Sequence, residues 1–311
     1  MSLLRFRYLM SSKHYFMFVT FLFLIGALVP VFSQEHKAYT LLVGLEKIND
    51  DAYAKKSKFY NKKATSGVGF DLLKMKYIAE ANGHIIKSLI NAEANRNQII
   101  NAITEIGNKV KKGDSFIFYF SGHGDVIKDE SGDEISGFDQ VMVAFDDYII
   151  DDDIYLLLKR YFSLTDNIMI VDACHSSSSW KIASFLFDLK LGNTKVSRYI
   201  NEASLQNQNK LLVGGNLDSI SPIKESFNLI YFGATEDDNV AAGNINGGLM
   251  TYLLERIISN AMYNNTWNQY SYRRFANELS ILLSNYSQNL QYHEVGSTCS
   301  NYVKNIPFKI Y

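Results

Sequence analysis

Two apolar segments of this sequence run straight into reactive side chains. Residues 115–121, Ser-Phe-Ile-Phe-Tyr-Phe-Ser, lead into Gly122-His123-Gly124, and residues 167–172, Asn-Ile-Met-Ile-Val-Asp, lead into Ala173-Cys174-His175. A cysteine thiolate attacks a carbonyl carbon, and a histidine takes and returns the proton; together they perform acyl transfer. Glycines on both sides of His123 let a substrate backbone come close. The backbone N–H groups of Gly124 and Cys174 are candidate donors to an oxyanion. His175 is a rival base, but its place next to Cys174 points it elsewhere, which favours His123. Alone, a His-Gly pair reads as a turn and a cysteine at a strand end as a small core residue. The two at the ends of two apolar runs, about 50 residues apart, favour catalysis. Zinc is the weaker reading, since Cys174, His175 and His123 lack CxxC or HExxH spacing. Without a Gly-x-Ser-x-Gly elbow, the Ser176–Ser179 run is discounted as a nucleophile.

Side chains at such places need a sheet to hold them. Strands are predicted at 38–45, 84–89, 115–121, 141–145, 167–172 and 229–233 from their apolar, β-branched or aromatic content. Helices are predicted at 71–82, ended by Gly83, after Asn95 with Ile99, Ile103, Ile106 and Val110 on one face, and at 153–161, 247–260 and 271–285. Residues 50–66 and 125–138 read as polar loops, 176–227 as a long insertion rich in Ser, Asn and Lys, and the tail as polar with some β character. Strands joined through helices mean an α/β fold with a mostly parallel sheet covered on both faces. Function in such sheets collects at the carboxyl ends of the strands. No internal repeat and no second domain is apparent.

Composition narrows the classes. The chain has 311 residues, is 47% hydrophobic and 20% charged, and carries a net charge of -1. That is ordinary globular composition, which excludes wholesale disorder, and without a basic stripe a dedicated nucleic-acid partner is not expected. Residues 1–33 read as a secretory signal: a basic head of Arg5, Arg7 and Lys13, an apolar run from Phe16 to Val31, and cleavage after Ser33. An uncleaved anchor is the alternative, but the run is short for a span. The expectation is an exported protein, free of the membrane once the signal is removed. The two cysteines, Cys174 and Cys299, make no disulfide scaffold. If Cys174 stays free for chemistry, Cys299 has no partner.

The sequence resembles the caspase and metacaspase cysteine peptidases. Ser121-Gly-His-Gly124 matches the family histidine motif. Asp172-Ala-Cys-His-Ser176 is closer to the metacaspase Asp-Cys-Cys-His-Ser-Gly than to the caspase Gln-Ala-Cys-Arg-Gly. Phe138-Asp-Gln140, Ile150-Asp-Asp-Asp-Ile154 and Gly247-Gly-Leu-Met-Thr-Tyr252 are similar to further metacaspase segments, so the resemblance spans roughly residues 38–290. One departure is Ser177, where the family has glycine. The resemblance implies a caspase-like three-layer αβα sandwich in a single peptidase domain, residues 34–311, monomeric, with protein or peptide substrates.

It also implies which bond is cut. Caspases place an arginine six residues before the Asp of their Arg-x-Gly-x-x-x-Asp pattern, and Thr65 stands there before Asp71. Metacaspases place two pocket acids at positions that match Asp71 and Asp172, implying cleavage after Arg or Lys; two carboxylates in a cleft favour a guanidinium or ammonium. Asp71 also has the type and place of a helix cap, and Asp172 those of a buried carboxylate ordering the cysteine loop. Metacaspases often need calcium, and Asp139, Asp151 and Asp152 match three of its ligand positions; the fourth falls near Lys181, which cannot ligate, with Asp188 a weak substitute. Asp146, Asp147 and Asp153 lie nearby in sequence, and a solvated acidic loop is the plainer reading. The 176–227 insertion falls where family members are cut during maturation, and its lysines and Arg198 would suit self-cleavage. Two other classes stay open: a catalytically silent caspase-like binding domain, and a clan-related peptidase of different specificity.

Overall fold

A computed structural model describes residues 35–53, 65–128, 138–173, 227–234, 242–296 and 299–310. Cys174, the insertion at 176–226 and the expected signal at 1–33 lie outside the described residues.

Among the described residues the main sheet has six strands. β1 (Ala38–Gly44) lies between β2 (Ile85–Ile90) and β3 (Ser115–Ser121); β7 (Asp166–Asp172) and β8 (Asn228–Gly233) continue beyond β3, and β11 (Gln291–Val295) closes the far edge. All pairings are parallel except that of β11 with β8. The predicted strands at 38–45, 115–121, 167–172 and 229–233 are found almost at their expected bounds, and the β character of the tail is β11.

β1, β3, β7 and β8 are buried at nearly every position because both faces of the sheet are covered there. Their side chains alternate between two separate cores. Leu41, Val43, Phe116, Phe118, Phe120, Met169 and Val171 pack with α3 (Arg96–Gly107) and α4 (Asp151–Tyr161) on one face. Leu42, Ile117, Tyr119, Ile168 and Ile170 pack on the other face with α2 (Val68–Ala81), α5 (Leu249–Tyr263) and α6 (Tyr272–Ser284). The architecture is therefore the expected three-layer αβα sandwich with a mostly parallel central sheet.

Two local expectations are corrected. The polar segment after Gly124 is not all loop: β4 (Gly124–Lys128) pairs antiparallel with β5 (Phe138–Val143), which pairs with β6 (Tyr148–Ile150). Pairing with β5 supplies the backbone bonds that the polar composition of β4 does not advertise. The stretch after 50 opens with a short helix, α1 (Asp50–Tyr53), held by the Tyr53 hydroxyl donating to the Ala144 carbonyl at 2.8 Å. Asn95 caps α3 as expected, accepting from Gln98 N–H at 2.9 Å. Cys299 is a buried free thiol, and burial pushes it up to about 12.

Candidate active site

Ser121 and Asp172, the last residues of β3 and β7, face each other across a parallel pair. The two chains stay together one residue further, where Gly122 N–H donates to the Asp172 carbonyl at 3.4 Å. Then β3 leaves the main sheet. His123 sits in the crossing, its carbonyl accepting from Val143 N–H at 3.0 Å, and Gly124 begins β4 opposite Met142. His123 is half-buried and Gly124 buried. The imidazole thus rides on backbone tied to both sheets. On the β7 side the described chain runs to buried Ala173, one residue before Cys174.

Asp71 comes from the first turn of α2 but does not cap it. The helix starts at Val68 after Gly67, in left-handed backbone, and Asp71 N–H already donates to the Gly67 carbonyl at 3.2 Å. The carboxylate turns inward instead. It accepts from Gly248 N–H at 2.9 and 3.0 Å on its two oxygens and from the Ser121 hydroxyl at 2.9 Å. Lys74 Nζ stands 3.8 Å from its Oδ1.

Asp172 is held from the same direction. Its Oδ2 accepts from Thr251 N–H at 2.9 Å and from the Thr251 hydroxyl at 2.6 Å. That hydroxyl has one proton, which goes to Asp172, so the Tyr119 hydroxyl 2.6 Å away must donate to it. A relay thus runs from β3 through α5 to β7. Gly248 is the N-cap of α5 and Thr251 lies in its first turn. Both acids therefore sit where a helix leaves N–H groups without internal partners and carries partial positive charge.

Burial sets the electrostatics. Asp71 is 2% and Asp172 5% exposed, so each charge is largely stripped of water. Burial, then the Asp172 carboxylate, pushes Asp71 up to about 7 against the pull of Gly248 N–H, the Ser121 hydroxyl and Lys74. Burial likewise raises Asp172, opposed by its two Thr251 bonds and Lys74. The two carboxylates thus share one dry site, and both are pushed above the ordinary carboxylate range.

Parts of this chain are similar to known proteins. Residues 60–183 match the family described as Metacaspase, peptidase C14 domain. Over these residues the chain is similar to caspase/metacaspase-like C14 peptidases. Metacaspase-2 of Arabidopsis thaliana is 35% identical over 103 residues, which are 32% of this chain and 25% of that protein. Metacaspase-1 of Debaryomyces hansenii is 27% identical over 227 residues, 63% of this chain and 51% of that protein. The matched part thus spans about a quarter to a half of these relatives' lengths. The crystal structure of protein GSU0716 from Geobacter sulfurreducens shares the fold, with a TM-score of 0.65 at 22% identity over 88% of this chain and 99% of that one.

Within this metacaspase-like domain the structure brings Asp71, Asp172, His123 and Gly124 to one end of the sheet. Cys174 lies outside the described residues. Sequence reasoning gave no role to Ser121, Lys74, Gly248 or Thr251. Ser121 and the Gly247-Gly-Leu-Met-Thr stretch were in view as motif, but their bonds to the two acids span most of the chain. Of the candidate calcium ligands, Asp139 is a buried residue of β5, and the side chains of Asp151 and Asp152, which open α4, are not described. Neighbouring acids are engaged elsewhere: Asp146 accepts from Arg96 N–H at 2.9 Å and Asp153 from the Arg96 guanidinium at 3.0 Å. Among the described residues no three His, Cys, Asp or Glu side chains form a group able to hold a metal.

Proposed function

We propose that this chain is a cysteine endopeptidase in which His123 is the general base and acid for a Cys174 thiolate, cleaving after Arg or Lys through a thioester. The metacaspase relatives support the coarser part, a cysteine-type peptidase acting on proteins. The observation that carries the finer part is the register of β3 against β7. With Ser121 opposite Asp172, His123 and Cys174 each follow that pair by two residues. The two motif residues therefore follow level strand ends, which supports reading them as one dyad. Gly124 and Cys174 N–H groups would receive the oxyanion of the tetrahedral intermediate.

The basic preference rests on Asp71 and Asp172. Both Thr251 bonds fall on Oδ2 of Asp172, which leaves its Oδ1 for an incoming donor. An arginine side chain, planar and always charged, suits such a pair best, and lysine follows as a point charge. The proposal extends to self-cleavage within 176–227, to calcium held through Asp139, Asp151 and Asp152 as an activator outside the chemistry, and to an exported monomer.

The test is cleavage of fluorogenic peptides ending in Arg, Lys or Asp under reducing conditions, with and without calcium, beside Cys174→Ala and His123→Ala. Cleavage after Arg or Lys, lost by about a hundred-fold or more in both variants, is the expected result. Cleavage after Asp would overturn the pocket. Failure of an active-site electrophile to label Cys174 in a chain that cuts nothing would favour the silent binding domain.

A further inference from the structure

Lys74 is one helical turn beyond Asp71 on α2, and its ammonium is held from three directions. It stands 3.8 Å from Asp71 Oδ1, donates to the Asn246 carbonyl at 2.6 Å and lies 5.9 Å from the centre of the Phe70 ring. Its side chain is only 20% exposed. Asn246 immediately precedes Gly247-Gly248, so the carbonyl that fixes the ammonium and the N–H that fixes the carboxylate belong to one turn.

We propose that Lys74 is the resident counter-ion of the Asp71–Asp172 pair, a positioning residue that favours the ionised form of Asp71 so that the pair can receive a basic P1 side chain near neutral pH. The inference rests on reading these two acids as the P1 pocket. Among the described residues, few groups face Asp71. β7 contributes the Asp172 carboxylate and β3 the uncharged hydroxyls of Ser121 and Tyr119. The turn before α5 contributes Gly248 N–H, and α2 itself contributes Lys74. Two buried carboxylates with no cation between them cannot both stay charged; one takes a proton. With both carboxylates ionised, an ammonium beside them leaves a net charge of minus one, which an incoming guanidinium neutralises. Asp71 titrates close to neutrality even with Lys74 in place, so loss of one nearby charge would swing its protonation in the working range.

The opposite role is also chemically available: Lys74 could compete with the substrate cation for Asp71. The two roles predict opposite results. The experiment follows the Asp71 side-chain carboxyl by carbon-13 NMR across pH in the full chain, with the resonance identified by its loss in Asp71→Asn. Lys74→Met and Lys74→Arg are compared with wild type, and kcat/KM for an Arg-P1 peptide is measured over the same range. The Asp71 midpoint should move to higher pH in Lys74→Met and return towards wild type in Lys74→Arg. Cleavage by Lys74→Met should fall about three- to ten-fold near pH 6.5 and recover near pH 8.5. An unmoved midpoint, or Lys74→Met cleaving the Arg peptide faster at neutral pH, would overturn the proposal. A midpoint that moves as expected in a protein that does not cut after Arg or Lys would support the counter-ion and overturn the pocket reading instead.

Discussion

Asp71 and Asp172 lie far apart in the sequence, on a helix and at a strand end, yet both are clamped by the first turn of one later helix. Asp71 accepts from Gly248 N–H, and Asp172 accepts from Thr251 N–H. Two acids that repel one another are thus held by backbone donors and a helix dipole that favour their charge. Burial works against that charge, and the balance has measurable consequences.

Asp71 should give the folded protein an unusual pH dependence. Its carboxyl is raised from 3.8 to about 7, so between those values the native state binds more protons than the unfolded chain. Its contribution to stability is fully present below about pH 4 and is lost as pH rises through about 7. Urea unfolding midpoints should carry this slope between about pH 4 and pH 7, and Asp71→Asn should flatten it. An unchanged slope in the variant would show that Asp71 titrates normally.

His84 should act with the opposite sign. It is buried between the Thr40 hydroxyl, 2.8 Å from Nδ1, and the Phe308 carbonyl, 2.7 Å from Nε2. Burial lowers its affinity for a proton below the ordinary 6.5. The stability it confers is present above about pH 6.5 and is lost as pH falls below that value, because the unfolded chain takes up the proton first. His84→Asn should lose stability at pH 8 and show a shallower decline under acid, read from the same urea series.

Thr251→Val should isolate the hydroxyl relay. The substitution keeps shape and the backbone donor but removes the hydroxyl bond to Asp172 and leaves the Tyr119 hydroxyl without its acceptor. The expected cost is about 1–3 kcal/mol in chemical denaturation. Thr251→Ser should recover most of it. Equal losses in both would mean that methyl packing, not the relay, is what matters.

Gly248→Ala should damage the pocket more than the fold. A Cβ at Gly248 would overlap the Asp172 carboxylate, and one at Gly247, whose φ is +118°, would meet Asp71. Displaced carboxylates should lower kcat/KM for basic P1 peptides about ten-fold or more, with the effect in KM and little change at a neutral P1. Loss shared equally by all peptides would place the damage at the dyad instead.

The elements that carry this site were largely legible because their signals are local. A short apolar run rich in Phe and Ile, such as residues 115–121, reads as a strand covered on both faces, and β3 has those bounds. Asn95 and Gly83 marked helix ends through their own backbone preferences. β4 was not legible, since Asp125 and Lys128 carry no strand signal until β5 lies beside them. The start of α2 was missed by one turn because Gly67, not Asp71, ends the preceding loop.

By itself the sequence determined the α/β alternation, the strand ends that present His123 and lead to Cys174, and the likeness to metacaspases. These follow from side-chain type and short spacing, which do not depend on the rest of the chain. Only the tertiary structure decided what Asp71, Asp172, Ser121, Lys74 and Thr251 do to one another. Their charges and hydrogen bonds act over a few ångströms between segments as distant as α2 and α5. Whether a carboxylate is a helix cap, a pocket acid or a proton carrier depends on which donors folding brings within that range and how much water it removes.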